Sequence, residues 1–522
     1  MARFVQILGG LLCAVLFALP AAAQRERGEL QLDVRDPQGA ALAATGELVS
    51  EVNQFHLSFT VGEDGRYAAR DLAFGVYRVS VARAGFVPAA QLVEIRSVVP
   101  QRLSLTLGLQ PVETQMQVSE TETLIDPTRT NAVYTIGSQT VSEELSSQPG
   151  RGVLNAVDAQ PGWVYEANGV LHPRGSEYDV QFVVDGLPIT ENRSPAFAPP
   201  IESSDVESMR VMTAGFPAEY GRKLGGVVEV SSPKNNPAGF HGQFVAEGGS
   251  FQTASGSAAL FYSSGGNRLT ITGNGFHSAR YLDPPVLQNY TNNGNAGGFS
   301  SSYERDFSNG DRLFATFAQR AVRFEVPNEL AQQTAGQRQD SQQKETTGQL
   351  RYTHPFSSDV LLSAAASVRD AYALLTSNPQ STPIIVDQNR GYREGYARAD
   401  VAGHHGRHEW KAGVDGIFSS VNENLQYQIT AASQFDAGTA LVLNPPFSDR
   451  RWDVEPAAYV QDQIRLGKWN VSAGLRFDHY GFVVNESAWS PRISVSRFIA
   501  SLNLVIHGSY DRVFQTPAME NL

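Results

Sequence analysis

From Phe240 onward the chain keeps a rhythm that few folds accommodate. Roughly thirteen candidate strands, most about ten residues or a little longer, follow one another, which is the length a tilted strand needs to cross a bilayer. Their connections alternate in length. Short ones are Gly265-Gly266-Asn267, Ser308-Asn309-Gly310, Phe356-Ser357-Ser358-Asp359, Gly403 to Arg407 and Gly467-Lys468; long ones are Leu282 to Gly297, Pro327 to Thr346, Thr376 to Gly391 and Asn422 to Arg450. Short turns on one side and long loops on the other are the topology of a transmembrane β-barrel, and a soluble sandwich has no reason to keep that parity.

Strand composition agrees. Arg268 to Thr272 and Trp469 to Phe477 alternate an apolar face for lipid with a polar face for a lumen. Tyr262, Phe276, Phe307, Tyr352, Trp410, Trp452, Trp469 and Tyr480 lie near strand ends, where interfacial girdles of aromatics sit, although strand propensity alone also enriches them. The Gln-rich stretch Gln332 to Gln343 and the Asn-rich stretch Asn289 to Asn295 read as polar, flexible outer loops, either solvated or able to hydrogen-bond a ligand.

Residues 1–23 carry Arg3, an apolar run from Leu11 to Leu19, Pro20 and the small residues Ala21-Ala22-Ala23, the pattern of a cleaved secretory signal. The one cysteine, Cys13, falls in that run, so the exported chain is expected to hold no thiol, no disulfide and no cysteine nucleophile. A net charge of −12 argues against nucleic acid as a partner.

Residues 24–112 alternate polar and apolar positions at Glu29 to Arg35, Tyr77 to Val81 and Arg102 to Leu109, with turns at Asp36 to Gly39 and Gly62 to Gly65. This predicts a small antiparallel β-sandwich. The stretch Gly65 to Phe86, GRYAARDLAFGVYRVSVARAGF, resembles the carboxypeptidase regulatory-like domain. It contains no HxxE-type zinc pair, and His56 reads as a surface or packing residue, so the module is expected to bind or space and not to catalyse.

Residues 131–237 hold a short helix with Val153, Leu154 and Val157 on one side, then two apolar strands, Val180 to Val184 and Met209 to Met212. In order come Arg174-Gly175, the turn Asp185-Gly186, then Ala218-Glu219-Tyr220-Gly221 with Arg222, and Gly225-Gly226 opening another strand. Together these resemble the plug domain of TonB-dependent outer-membrane receptors. Tyr459 to Asp462, Gly474 to Asp478, Ser490 to Arg492 and Tyr510 to Pro517 resemble barrel motifs of the same family. Residues 113–130 read as a hinge. Glu113-Thr114-Gln115-Met116-Gln117-Val118 within it is either ordinary linker or an extended segment that a partner's sheet edge captures, and it resembles the TonB box.

The resemblance implies a mostly β chain: an N-terminal β-sandwich, an α+β plug, and part of an antiparallel transmembrane β-barrel over 238–522. It implies a TonB-type energy-coupling partner in the periplasm, outer-membrane lipid around the wall, and a small-molecule or oligomeric solute. Plugged receptor barrels have about 22 strands, so the same count leaves roughly eight or nine strands beyond Leu522. Charges at Arg174, Glu177, Asp179, Asp185 and Arg222 are either solvated or hold plug to wall, with Arg174 the expected wall contact.

No Ser-His-Asp order, catalytic carboxylate pair, phosphate loop or cofactor motif stands out, and the chain is not expected to be an enzyme. His404, His405 and His408 on GHHGRH are read as solvated and not as a metal site. Three functions follow: an energised importer, a non-transporting surface receptor or adhesin, and, disfavoured by the parity, a secreted hydrolase.

Overall fold

The computed structural model describes residues 27–96, 98–109, 130–137, 140–141, 152–165, 171–173, 180–189, 201, 205–222, 225–232, 238–431, 446–482, 484–502 and 504–516. The expected secretory signal at 1–23, the candidate TonB box at 113–118, and Arg174, Gly175, Glu177 and Asp179 lie outside the described residues.

Seven strands form the N-terminal sandwich. β1 (Arg27–Arg35) lies between β4 (Arg66–Ala73) and β7 (Gln101–Thr106), pairing parallel with the latter; β3 (Phe55–Val61), β2 (Ala44–Ser50), β5 (Gly75–Ala82) and β6 (Ala89–Ile95) make the facing sheet in that order. Period-two alternation sends Leu30, Leu32 and Val34 from one sheet and Tyr77, Val79 and Val81 from the other into one core.

A five-stranded mixed sheet follows, with a separate antiparallel pair, β9 (Trp163–Tyr165) and β10 (Leu171–Pro173). Its order is β12 (Leu187–Ile189), β11 (Val180–Val184), β14 (Gly226–Ser231), β13 (Ser208–Ala214) and β8 (Ala132–Ile136), with β11 and β14 parallel. Both faces are covered. Val180, Phe182, Met209, Val211, Val228 and Val230 pack with Val153 and Val157 of α1 (Gly152–Asp158), while Val183, Met212, Val227, Phe216 and Tyr220 fill the other side. A strand buried on both faces reads as a near-continuous apolar run, as in Gly226 to Val230, where only Glu229 interrupts it and is itself buried.

The third body is one antiparallel meander of thirteen strands, β15 to β27, each paired with its sequence neighbours. They are β15 (Gly239–Gly248), β16 (Ala254–Ser264), β17 (Asn267–Ser278), β18 (Gly294–Asp306), β19 (Arg312–Glu325), β20 (Gln339–Pro355), β21 (Val360–Ser377), β22 (Ile384–His405), β23 (His408–Ile429), β24 (Phe447–Leu466), β25 (Trp469–Tyr480), β26 (Glu486–Ile499) and β27 (Leu504–Asp511). The expected short turns fall where the spacing puts them.

Two expected long loops do not. Residues 376–391 contain a short connection, 378–383, between β21 and β22, and β23 and β24 pair through 422–425 and 447–450, so their long connection is confined to 430–446. The strands run on to 18–22 residues here, well past what a bilayer requires. The Gln-rich stretch also departs from a flexible loop: α2 (Leu330–Ala335) is closed by a capping box at Glu329 and Gln332, and β20 begins at Gln339. Asn292 and Asn328 hydrogen-bond within and between the outer loops, at 2.9 Å from Asn328 Nδ2 to the Gln337 carbonyl.

The meander is inverted relative to a soluble sheet. Val414, Val460, Leu475 and Ile493 face outward, while their neighbours Asp415, Tyr459, Arg476 and Arg492 are buried within. Tyr262, Phe307, Tyr352, Trp452 and Trp469 are exposed as a girdle requires, whereas Tyr480 is buried inside, because its position on β25 shares the inward face of Arg476 and Asp478. Among the described residues no helix is long and apolar enough to cross a membrane.

Candidate functional site

The strongest concentration of buried charge lies where the segment Gly215 to Arg222 meets the inner face of β22 to β27. Three local features set its shape. Tyr220 is anchored backward into its own sheet, its hydroxyl donating to Glu229 Oε1 at 2.6 Å; Glu229 is in turn paired with Arg210 at 2.9 Å. That anchor turns the flanking residues toward the wall. Gly221 allows the close approach: a Cβ built there would lie 2.2 Å from Arg476 Nε, so no side chain fits without displacing that guanidinium.

Glu219 receives the wall's cations. Its carboxylate pairs with Arg398 Nη2 at 2.7 Å on one oxygen and with Lys411 Nζ on the other, and Gln461 donates to it at 3.3 Å. Its backbone is held as well, the amide donating to Gln461 Oε1 at 3.0 Å and the carbonyl accepting from Arg476 Nη1 at 3.1 Å. The Glu219 side chain is 1% exposed and its partners Arg398 and Lys411 are 5% and 7% exposed.

Arg222 meets the wall's anions. Its Nη1 lies 2.7 Å from Asp415 Oδ1, its Nε 2.9 Å from Glu455 Oε2, and its Nη2 donates to the Glu455 carbonyl at 2.7 Å. Burial disfavours the Arg222 cation, but the carboxylates of Asp415, Glu455 and Asp478 outweigh it and raise its pKa, so the residue is charged at every accessible pH. Arg476 links the two halves, bonding Asp415 at 2.9 Å and Asp478 at 2.8 Å. Arg492 donates to the Pro217 carbonyl at 2.6 Å, and Asp511 accepts from the Gly215 amide at 2.8 Å.

One segment thus carries an anion and a cation three residues apart, each met by its complement on the wall. Buried charges left unpaired are costly, so such an arrangement has one register. It can hold the sheet in the lumen and release it as a unit. Among the described residues no group of three or more His, Cys, Asp or Glu side chains is arranged to hold a metal.

The sequence-predicted residues divide. Glu219, Tyr220, Gly221 and Arg222 come together here. Asp185 and Gly186 make the β11–β12 turn with φ of 50° and 82°, and the Asp185 carboxylate caps Ser232, accepting from its hydroxyl at 2.7 Å. Gly225 and Gly226 lead into β14 away from the wall contact. On the wall, Tyr459, Gln461, Arg476, Asp478 and Arg492 come from the late-chain motifs. Arg398, Asp400, Lys411, Asp415 and Glu455 were not singled out; the signal available was a charged residue on the face opposite an outward apolar one, as in Val414-Asp415. His404 and His408 are not free on their turn: His404 Nδ1 bonds Glu409 at 2.7 Å and His408 Nδ1 bonds Asp462 at 2.6 Å.

Residues 280–522 match the family model described as TonB dependent receptor-like, beta-barrel. No curated protein matches the chain in sequence. Among solved structures, the siderophore receptor PiuA from Acinetobacter baumannii is similar at 12% identity and a TM-score of 0.57, over 74% of this chain and 64% of that one. The ferric citrate transporter FecA in its unliganded form gives 15% and 0.57, over 71% and 61%. The pyoverdine outer membrane receptor FpvA from Pseudomonas aeruginosa PAO1, bound to pyoverdine, gives 11% and 0.59, over 75% and 63%. The chain therefore spans under two thirds of the length of each of these.

Proposed function

We propose that this chain, a TonB-dependent outer-membrane receptor by its barrel residues and its plugged-barrel fold, imports a scarce, bulky solute by force-coupled movement of the plug. That family consists of receptors and transporters and not of enzymes, and the described chemistry is of binding and release. The observation that carries the reading is the wall contact of Gly215 to Arg222: a plug fastened by paired buried charges is stable at rest, yet its fastening breaks as one unit when the chain is pulled.

In this reading an energy-coupling protein of the TonB type captures Glu113 to Val118 in the periplasm by strand addition. These residues precede β8, the edge strand of the plug sheet, so a pull there is delivered to β13 and through it to the segment that ends at Arg222. The solute is an iron chelate, an oligosaccharide or a molecule of similar size; the siderophore receptors of like fold favour the chelate.

The alternative is a receptor that binds at the surface without transport. Deleting residues 113–118 separates the two: an importer loses energised accumulation and keeps binding at the outer face, whereas a surface receptor is unchanged in both.

A further inference from the structure

We infer that the N-terminal sandwich serves as a periplasmic gate, clamped across the exit of the barrel by its own set of ion pairs and released before the plug moves. This rests on the reading that Glu113 to Val118 is where the chain is pulled.

The sandwich touches the short-turn side of the wall at two separated places. At the first, Arg70 pairs with Asp306 at the end of β18, and Arg312 at the start of β19 pairs with Glu29, with Glu304 lying 3.1 Å from Arg312. At the second, Arg96 lies 3.0 Å from Glu409 and 2.9 Å from His404 Nε2, and Glu94 makes a two-pronged pair with Arg465 at 2.7 Å on each nitrogen. Since His404 Nε2 accepts from Arg96, its Nδ1 carries the proton donated to Glu409. The first clamp lies on β18 and β19 and the second on β22 to β24, three to six strands away in the meander, so the clamps are roughly 15–30 Å apart along the wall at about 4.8 Å per strand.

Between the clamps the sandwich reaches the plug. Arg27 donates to Ser208 Oγ at 3.1 Å, and Gln54 Oε1 accepts from the Thr140 hydroxyl at 2.9 Å and from the Gly137 amide at 3.3 Å. A cavity of about 380 Å³, open to solvent on one side, lies among the three bodies, with Arg27 and Arg102 from the sandwich, Gly186 from the plug and the 308–310 and 357–358 turns among its lining. The sandwich therefore lies against both the plug and the short-turn side of β18, β19 and β22 to β24.

The two fastenings differ in kind. The second rim clamp is partly open to water, with Arg96 and Glu94 31% and 29% exposed, and the first is mixed, with Arg312 and Asp306 26% and 27% exposed but Arg70 and Glu29 10% and 6%, whereas the plug's wall pairs are at most 7% exposed. Exposed pairs are weakened by salt and contribute little; buried ones are screened far less. Residues 110–129 join the two bodies, so tension on Gln115 loads both at once, and the rim clamp is the weaker.

The mature chain is expected to have no thiol, so Gln115→Cys gives a single handle. With the full chain held in a bilayer and pulled from that handle, two events are expected in order. The first falls when salt rises from 0.05 to 0.5 M and falls further in Arg96→Gln/Arg465→Gln, where only the Arg70 and Arg312 clamp remains; the second is unchanged by either. The exchange Glu94→Arg/Arg465→Glu restores the first event, which separates loss of the clamp from loss of the fold. A single event, a first event indifferent to salt, or a sandwich that leaves only after the plug overturns the proposal, whatever the chain proves to transport.

Discussion

Glu219→Gln tests the wall contact at its most loaded residue. The substitution keeps size and hydrogen-bonding capacity and removes one charge. Arg398 retains Asp400 at 2.9 Å, but Lys411 loses the carboxylate it touches while remaining 7% exposed. Removing one partner of a buried pair leaves an uncompensated charge and costs about 3–5 kcal/mol. At 1.36 kcal/mol per decade that is roughly two to four decades in the equilibrium between docked and released plug. The readout is amide exchange at Gly215 and Glu219 in the membrane-inserted chain, whose N–H groups donate to Asp511 and Gln461 of the wall and lose those acceptors when the plug undocks. Arg393→Gln supplies the control: its pair with Asp370 is half exposed on both sides, and such pairs contribute about 0–1 kcal/mol. Exchange in Glu219→Gln no faster than in Arg393→Gln would refute the claim that these buried charges hold the plug.

Gly221→Ala is expected to force Arg476 from its place, at an overpacking cost of about 1–3 kcal/mol, read as a lower unfolding temperature; an unchanged temperature means the notch can relax. Val460 lies six residues above the turn after Leu466, close to the middle of the membrane band at about 3.3 Å per tilted residue. Val460→Arg should therefore destabilise the inserted state by about 2–4 kcal/mol, measured by urea unfolding in lipid, and a smaller loss than in Gln463→Arg would place that face away from lipid. Glu29 is fully buried; burial raises its pKa, but Arg312 and Arg70 outweigh it and leave the pKa below 4.5. A depressed carboxylate pKa stabilises above the unfolded value and loses that contribution as pH falls through the folded value, so sandwich docking should persist at pH 5 and weaken only below about 4.5. Proteolysis between the sandwich and the plug as a function of pH checks this, and weakening already at pH 6 would contradict it.

The barrel's strands were legible because two local signals coincide there: period-two alternation, and glycine- or asparagine-bearing turns at Gly265-Gly266, Asn309-Gly310 and Gly467. The outer extensions of β22 and β23 were not, since beyond the membrane both faces of Asp387 to Arg390 and Asn422 to Asn424 are polar and alternation carries no contrast. Tyr480 was misassigned for the related reason that an aromatic near a strand end reads the same whichever face it occupies. The site shows a different limit. Arg222 and Glu219 stood out in a motif, but their partners at Asp415, Glu455, Arg398 and Lys411 are 179 to 233 residues away, and pairing over that separation leaves no local trace.

Energised import through this barrel requires that the plug leave the wall. A Cβ at Gly474 would lie 2.7 Å from the Ala218 Cβ, so Ala218→Cys/Gly474→Cys can close a disulfide if the two backbones separate by about an ångström. In cells supplied with a panel of radiolabelled ferric chelates, the oxidised variant is expected to bind at the surface as the parent does, to accumulate nothing, and to regain energised accumulation on reduction. Accumulation by the oxidised variant at the parental rate would contradict it.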